Sequence, residues 1–151
     1  KNMSNVFSLC SSLQKLDISN IITSNVEDLT EMFYMCSSLE NLNLEKFDTS
    51  KVTKMTGLFA FCSKMTSLNI NNFDTSKVME MDYMFCSMHS INNLNLKKFN
   101  TKNVKNMKFM FTYDEALTSI DLSSFDTTMV SHYMAMFQGC TGLNELDITS
   151  F

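Results

Sequence analysis

The apolar positions of this chain recur at a fixed interval of 26 residues. In each copy an apolar residue precedes a Phe, and no insertion or deletion interrupts the spacing. The copies of this pair are Val6-Phe7, Met32-Phe33, Leu58-Phe59, Met84-Phe85, Met110-Phe111 and Met136-Phe137. A constant period of this size is typical of stacked supersecondary units. It predicts one repeat array over residues 1–151, with five full repeats that start at 6, 32, 58, 84 and 110 and partial copies at 1–5 and 136–151.

A second group of apolar residues in each repeat has the alternation of a short β-strand. In the second copy these residues are Leu39, Leu42 and Leu44, and a polar residue separates the last two. Alternation with a period of two indicates a strand with one buried face. A strand of about four residues is stable only when its copies pair with one another. The pattern therefore predicts a parallel sheet to which each repeat adds one strand.

The rest of each repeat has the features of a capped helix. Asp48, Thr49 and Ser50 follow Phe47, a Phe that recurs every 26 residues. Side chains of these types accept hydrogen bonds from the free N–H groups of a starting helix. The apolar residues that follow fit a single helical stripe and are Val52, Met55, Leu58, Phe59 and Cys62. We therefore predict an α/β fold, a leucine-rich-repeat-like right-handed solenoid whose repeats combine a short parallel strand with a short helix. An all-β solenoid with short 3₁₀ turns instead of the helix remains the alternative.

The whole repeat resembles that of a known group of surface proteins. Its motif, Met-Phe-x-x-Cys-x-x-Leu-x-x-Leu-x-Leu-x-x-Phe-Asp-Thr-Ser-x-Val-x-x-Met, is similar to the 26-residue repeat of BspA-like leucine-rich-repeat proteins and of the Mycoplasma lipoprotein-associated domain of unknown function. The resemblance implies a solenoid that is displayed on a cell surface, serves adhesion or protein binding, and has no catalytic residues. Met88 and Asp114 depart from the motif at the Cys position, where a carboxylate must find partners or turn outward.

Composition and charge exclude several classes of partner. The chain has a net charge of −4 and no Arg, so it lacks the basic stripe that nucleic acids require. Its apolar runs are too short for direct insertion into a membrane. Because the sequence begins and ends inside repeats, we expect it to be part of a longer protein whose neighbouring repeats it contacts. The signal and anchor would then lie outside this part, and the predicted location is extracellular or at the cell surface.

The reactive side chains do not form a recognisable catalytic or metal motif. The five cysteines lack metal-ligand spacing, and neither His89 nor His132 shares a repeat position with them. We therefore predict no enzyme activity and no cofactor. Free buried thiols are favoured over a disulfide ladder, since neighbouring helices would lie ~8–10 Å apart, beyond the reach of a disulfide. Helix capping is likewise favoured over a calcium ladder for the Asp column that contains Asp48.

Two surfaces are candidates for function. The first is a polar face along the predicted sheet, and its candidate binding residues are Asp17, Asn43, Asn69, Asn95, Asp121, Asp147, Asn41, Asn93 and Asn71. Such a face suits recognition of a protein or glycan, although its side chains could instead hydrogen-bond along the stack as a structural ladder. The second consists of apolar residues outside the helical stripe, which either form an exposed interface or fold inward: Met35, Phe61, Tyr83, Phe109 and Tyr113.

The function that these observations favour is non-catalytic. We expect a surface-displayed or secreted binding module that recognises a protein or glycan on another cell or on the extracellular matrix, and so serves adhesion to host or neighbouring cells. The alternative is an architectural spacer or stalk that presents another domain. An enzyme is the least favoured of the three.

Overall fold

Successive repeats pair at equivalent positions of the chain. In the computed structural model, which describes residues 1–151, isolated parallel β-bridges join positions 26 residues apart. The bridges are Asn2 to Asp28, Asp28 to Lys54, Lys54 to Glu80, Glu80 to Asn106 and Asn106 to His132. The chain therefore winds into a solenoid in which each 26-residue repeat forms one rung, as the period predicts.

The predicted helix is absent, and a run of tight turns occupies its place. The structure has no α-helix, and in the second rung residues 30–35 form turns. Met32 N donates to Leu29 O (3.1 Å), Tyr34 N to Glu31 O (3.1 Å) and Cys36 N to Phe33 O (3.1 Å). These bonds span three residues rather than four. The segment is thus closer to the alternative of an all-β solenoid with short turns.

The intervening amides of the same segment connect one rung to the next. Four N–H groups of each rung donate to carbonyl oxygens of the following rung. In the second rung these bonds run from Leu29 N to Lys54 O (3.0 Å), from Glu31 N to Thr56 O (2.8 Å), from Phe33 N to Leu58 O (3.1 Å) and from Met35 N to Ala60 O (2.9 Å). We call this set the forward ladder. It lies where a helix was predicted, while the segment predicted as a strand has few backbone bonds between rungs, such as Thr66 N to Glu40 O (3.2 Å).

The spacing of the rungs explains why a helix cannot form. The buried rings of Phe33 and Phe59 lie parallel with centroids 5.7 Å apart. Packed helices keep their axes ~8–10 Å apart, so a helix in each repeat would separate the rungs too far for the forward ladder. The predicted distance of ~8–10 Å between equivalent positions of neighbouring repeats, which we used to argue against a disulfide ladder, is therefore wrong. Equivalent positions on adjacent rungs are closer than packed helices allow.

The core consists of columns of equivalent side chains stacked from rung to rung. The hydrophobic cluster contains 37 buried residues. The predicted columns that pass through Leu39, Leu42, Leu44 and Phe47 are buried from the second to the fifth rung, although they do not form a regular strand. In the last rung Leu146, Ile148 and Phe151 are exposed. Phe rings continue through the centre of the array from Phe7 to Phe137.

A column of buried threonines joins the rungs on another side of the core. The hydroxyl of Thr75 accepts a hydrogen bond from Asn100 N (2.8 Å) and donates one to Asn100 O (3.0 Å). Thr49 and Thr101 make the same pair of bonds to Asp74 and Asp126 of the following rungs. One side chain thus satisfies both backbone groups of a residue in the next repeat, which accounts for a Thr at this position.

We expect Thr75→Val to lower the free energy of unfolding by about 1–3 kcal/mol, because it preserves shape but leaves the backbone of Asn100 without its partners. Urea or thermal denaturation measures the change. Thr66→Val is the matched control, since Thr66 is exposed and its hydroxyl makes no hydrogen bond. Its effect should stay within about 0.5 kcal/mol. Equal stability of the two variants would contradict a structural role for the threonine column.

Candidate functional site

The nine candidate residues of the polar face are all exposed. They alternate along the chain with buried apolar residues, as in the segment where Asn41 and Asn43 flank Leu42. Burial of each Leu fixes the adjacent polar side chains on the outside of the rung. The sequence therefore predicts the position of this face correctly, although no regular strand supports it.

The central column of this face has a uniform local geometry. In Asn43, Asn69 and Asn95, Oδ1 accepts a hydrogen bond from the backbone N–H two residues later, at 3.0, 3.3 and 3.3 Å. Asp17, Asp121 and Asp147 accept the equivalent bonds at 3.0, 3.0 and 2.9 Å. These are Asx turns, in which the side chain replaces a backbone carbonyl. No hydrogen bond joins neighbouring side chains of the column from Asn43 to Asn95, so the alternative of side chains bonded along the stack is not found there.

This geometry determines which group each asparagine presents to solvent. An N–H donor must face an oxygen, so Oδ1 lies against the turn and Nδ2 lies on the free side of the amide. The Nδ2 atoms of Asn43, Asn69 and Asn95 make no hydrogen bond with the protein. An Asp at the same position presents a carboxylate oxygen instead. The column thus offers hydrogen-bond donors in its middle three rungs and acceptors in the others.

A groove runs across the rungs that carry these asparagines. Its volume is about 480 Å³. Ten of its thirteen lining residues are polar, and they include seven asparagines, with Glu45 as the one ionisable group. A second groove of about 310 Å³ continues from Asn93 and Asn95 to Asp121. There Lys97 Nζ lies 3.6 Å from Asp121 Oδ2, so the nearest cation already has an anionic partner.

The carboxylates that flank the asparagines remain charged at neutral pH. The backbone N–H of Ser19 lowers the pKa of Asp17, and that of Thr149 lowers the pKa of Asp147. The Ser123 hydroxyl has the largest effect in lowering the pKa of Asp121. A negatively charged ligand is therefore opposed at both ends of the asparagine section, whose groove has Glu45 as its one ionisable lining residue.

The second candidate surface has an unusual backbone. Met35, Phe61, Tyr83, Phe109 and Tyr113 all have positive φ, between 56° and 62°. They occupy the third position of turns such as Phe33–Cys36, where a positive φ is required and Gly is favoured. Met35, Tyr83 and Tyr113 are 38%, 40% and 45% exposed, whereas Phe61 and Phe109 are half-buried. The structure thus falls between the two alternatives of an exposed patch and a folded-in turn.

The Asp column after Phe47 also caps turns rather than helices. Asp48 Oδ1 accepts from Ser50 N at 3.0 Å, and Asp74, Asn100 and Asp126 repeat this bond. The residue types were therefore interpreted correctly as hydrogen-bond acceptors for local N–H groups, but the N–H groups belong to Asx turns rather than to helices.

The structure contains no group of three or more His, Cys, Asp or Glu side chains that could hold a metal ion. The structure has no helix that is long and apolar enough to span a bilayer.

The five cysteines are free thiols in the structure. Cys36 Sγ donates to Phe7 O (3.2 Å), Cys62 Sγ to Phe33 O (3.2 Å) and Cys140 Sγ to Phe111 O (2.9 Å). Burial raises the pKa of Cys36 and of Cys140 to about 11. These thiols are therefore protonated and unreactive near neutral pH, since the thiolate is the nucleophile.

Asp114 occupies the cysteine position of its rung and is fully buried. Its Oδ1 accepts from Met88 N (2.8 Å), but Oδ2 has no hydrogen-bond partner. Burial raises the pKa of this carboxyl to about 8. The departure from the motif thus marks the most unusual ionisable group of the core, and the sequence identifies it.

Comparison with known proteins supports the fold and the family. A leucine-rich repeat protein from Eubacterium ventriosum ATCC 27560, solved by crystallography at 2.50 Å, aligns with a TM-score of 0.55 and 18% identity. The alignment covers 85% of this chain and 32% of that protein, so this chain spans about a third of its length. This similarity confirms the predicted leucine-rich-repeat-like solenoid.

The sequence comparisons are consistent with this fold. A search of curated proteins gives no match. Two overlapping segments, residues 1–93 and 62–151, match a family described as "Mycoplasma protein of unknown function, DUF285", and together they include every repeat. The resemblance found in the repeat motif is confirmed, and the chain belongs to this family of Mycoplasma proteins of unknown function.

Proposed function

We propose that this chain is a non-catalytic binding module of a surface-displayed or secreted protein, and that its polar face recognises a protein or glycan on another cell or on the extracellular matrix. The observation that supports the proposal is the row of three amide nitrogens without a protein partner, Nδ2 of Asn43, Asn69 and Asn95, in the lining of an open polar groove. Polar, wet surfaces of this kind form non-obligate interfaces. Binding through them would serve adhesion.

A second candidate function is a spacer that holds another domain away from the surface. It is favoured by the Asx turns, because the oxygen of every central-column residue already has a structural partner. A column kept only to close turns would need no ligand. The two functions differ in whether the outward part of each side chain matters.

The test uses the longest stable protein that contains this chain, on a surface array of matrix proteins (fibronectin, laminin and collagen) and immobilised glycans. We expect capture of at least one of these by the wild type and a loss of at least about tenfold with Asn69→Ala. Because Asn69 is exposed, its loss should cost less than about 1 kcal/mol of stability. Asn20→Ala is the control, since Asn20 is an exposed asparagine outside both grooves whose side chain makes no hydrogen bond.

Each other outcome has a defined meaning. Unchanged capture by Asn69→Ala would move binding to a different surface and overturn the role of the polar face. Capture of none of the arrayed molecules would favour the spacer. A large fall in stability with unchanged capture would assign the column to structure alone.

A further inference from the structure

We propose that the amide-lined groove takes a neutral, extended glycan, with one sugar ring opposite each rung. This inference rests on the proposed function, since it specifies the ligand of the same face. It is carried by the fixed orientation of three asparagine amides, by their spacing along the solenoid and by the charges around them.

The orientation of the amides makes the middle of the column a row of donors. Each Oδ1 is held by its own turn at 3.0–3.3 Å, so Nδ2 of Asn43, Asn69 and Asn95 is placed by the backbone rather than by a ligand. Donors that are ordered before binding lose little conformational entropy when a ligand arrives. The complementary ligand must present acceptors at intervals that match the row.

The spacing of the row distinguishes two kinds of extended ligand. Asn43, Asn69 and Asn95 lie on consecutive rungs. Beside the groove Thr66 N donates to Glu40 O of the preceding rung (3.2 Å), and segments paired by such bonds lie ~4.7–4.9 Å apart. An extended peptide along the stack presents same-side groups every second residue, about 6.6–6.8 Å apart, and loses register with the rungs. Each ring of an extended β-1,4-linked polysaccharide advances by about one rung. Successive rings alternate in orientation, but each carries oxygen substituents on both edges, so every rung faces an acceptor. Hydroxyls accept hydrogen bonds from the amides and donate to the free oxygens of the groove.

The charge distribution favours a neutral chain over an acidic one. Glu45 is the one ionisable residue in the lining of the first groove, and Lys97 in the second is already close to Asp121. Asp17 and Asp121 carry negative charge on either side of the three asparagines. Sulfated or carboxylated polysaccharides would meet repulsion there, and the one lysine that lines either groove already lies close to an aspartate.

The experiment measures binding of defined hexasaccharides by calorimetry or ligand-detected NMR. The probes are the β-1,4-linked hexamers of glucose and of N-acetylglucosamine, and the α-1,4-linked glucose hexamer is the comparison because its chain coils. We expect binding of at least one β-linked hexamer and at least about tenfold weaker binding of the coiled one.

The key variant is Asn69→Asp. Asp121 occupies the equivalent position and makes the same turn, so the variant should keep its fold while an anionic oxygen replaces the outward N–H donors. We expect a loss of at least about tenfold in affinity for the β-linked hexamer. Asn20→Asp makes the same charge change at an exposed asparagine outside both grooves, whose side chain makes no hydrogen bond, and should leave affinity within about twofold.

The possible failures separate this inference from the proposed function. If no hexasaccharide binds but a matrix protein is captured and Asn69→Asp abolishes that capture, the glycan is overturned and the binding module stands. Equal binding of the α-linked hexamer, or unchanged binding by Asn69→Asp, would also overturn the inference. If neither oligosaccharides nor matrix proteins bind, both proposals fail.

Discussion

Replacing Asp114 with asparagine is expected to raise the free energy of unfolding by about 2–4 kcal/mol at pH 8. The variant should also lose most of the change in that free energy that the wild type shows between pH 4 and 8. Burial holds the folded pKa of this carboxyl at about 8, above the ordinary value of 3.8. The folded state therefore keeps its proton while the unfolded chain releases it. Each unit of such a shift corresponds to about 1.4 kcal/mol, and structural relaxation reduces the full sum.

The sign of the effect follows from which state binds the proton. Below pH 3.8 both states carry it, and Asp114 imposes no penalty from ionisation. As the pH rises toward 8, the unfolded state is increasingly favoured, so wild-type stability falls. Asparagine keeps an oxygen for Met88 N–H but cannot ionise. Urea denaturation at pH 5, 7 and 8 measures the slope for both proteins.

Two further variants make this prediction specific. Asp114→Cys restores the side chain of Cys36 and Cys62, whose thiols donate to backbone carbonyls in the same core position, and it should also be more stable than the wild type at pH 8. Asp126→Asn alters an exposed carboxylate and should leave the slope unchanged. A wild-type stability that is flat from pH 5 to 8 would show that Asp114 is not buried as described.

Removal of one ring from the central column should have an effect of similar size. We expect Phe59→Ala to lower the free energy of unfolding by about 3–5 kcal/mol, because Phe59 is fully buried and the substitution leaves a cavity between two stacked neighbours. The Phe59 centroid lies 5.7 Å from that of Phe33 and 6.1 Å from that of Phe85. Stacked aromatic pairs contribute to stability beyond the area that they bury, and the substitution removes two such pairs.

Phe61→Ala provides the matched comparison within the same rung. Phe61 is half-buried, has φ 62° and contacts Tyr34 edge-on with centroids 5.5 Å apart. Its loss should cost less than half as much as that of Phe59. Thermal and urea denaturation compare the two variants. Hydrogen exchange would show whether the rungs on either side of position 59 open separately, as nearest-neighbour coupling in a solenoid allows. Equal losses would contradict the central role of the column.

The features that the sequence predicts well are those that depend on side-chain burial. The 26-residue interval, the buried Leu and Phe columns and the exposed positions of Asn43 and Asn69 all follow from which residues alternate or recur. Asp114 is also recognisable as a departure from the motif. None of these conclusions requires knowledge of the backbone hydrogen bonds.

The backbone could not be predicted in the same way. An apolar spacing such as Val52, Met55, Leu58 and Phe59 fits a helical stripe, but it equally suits consecutive turns that return inward every three or four residues. The distance between rungs, which excludes a helix, is not visible in one repeat. Gly57 is one of two glycines with positive φ, while the other equivalent turn positions carry larger residues, so the turn signal is weak. The buried threonines were missed because Thr was interpreted only as a cap.

The forward ladder gives the solenoid an electrical direction. In an ordinary sheet the peptide dipoles of a strand alternate and largely cancel. Here the N–H groups of Leu29, Glu31, Phe33 and Met35 all face the following rung, and the pattern recurs at each junction. The dipoles of these four peptide groups are parallel and add along the solenoid axis. One bond at each junction, such as Thr53 N to Glu27 O (2.8 Å), runs in the opposite direction and offsets part of that sum. Every repeat inserted in the same sense lengthens this macrodipole, whereas a repeat of opposite sense would set donor against donor, so such an array can grow by duplication in one orientation alone.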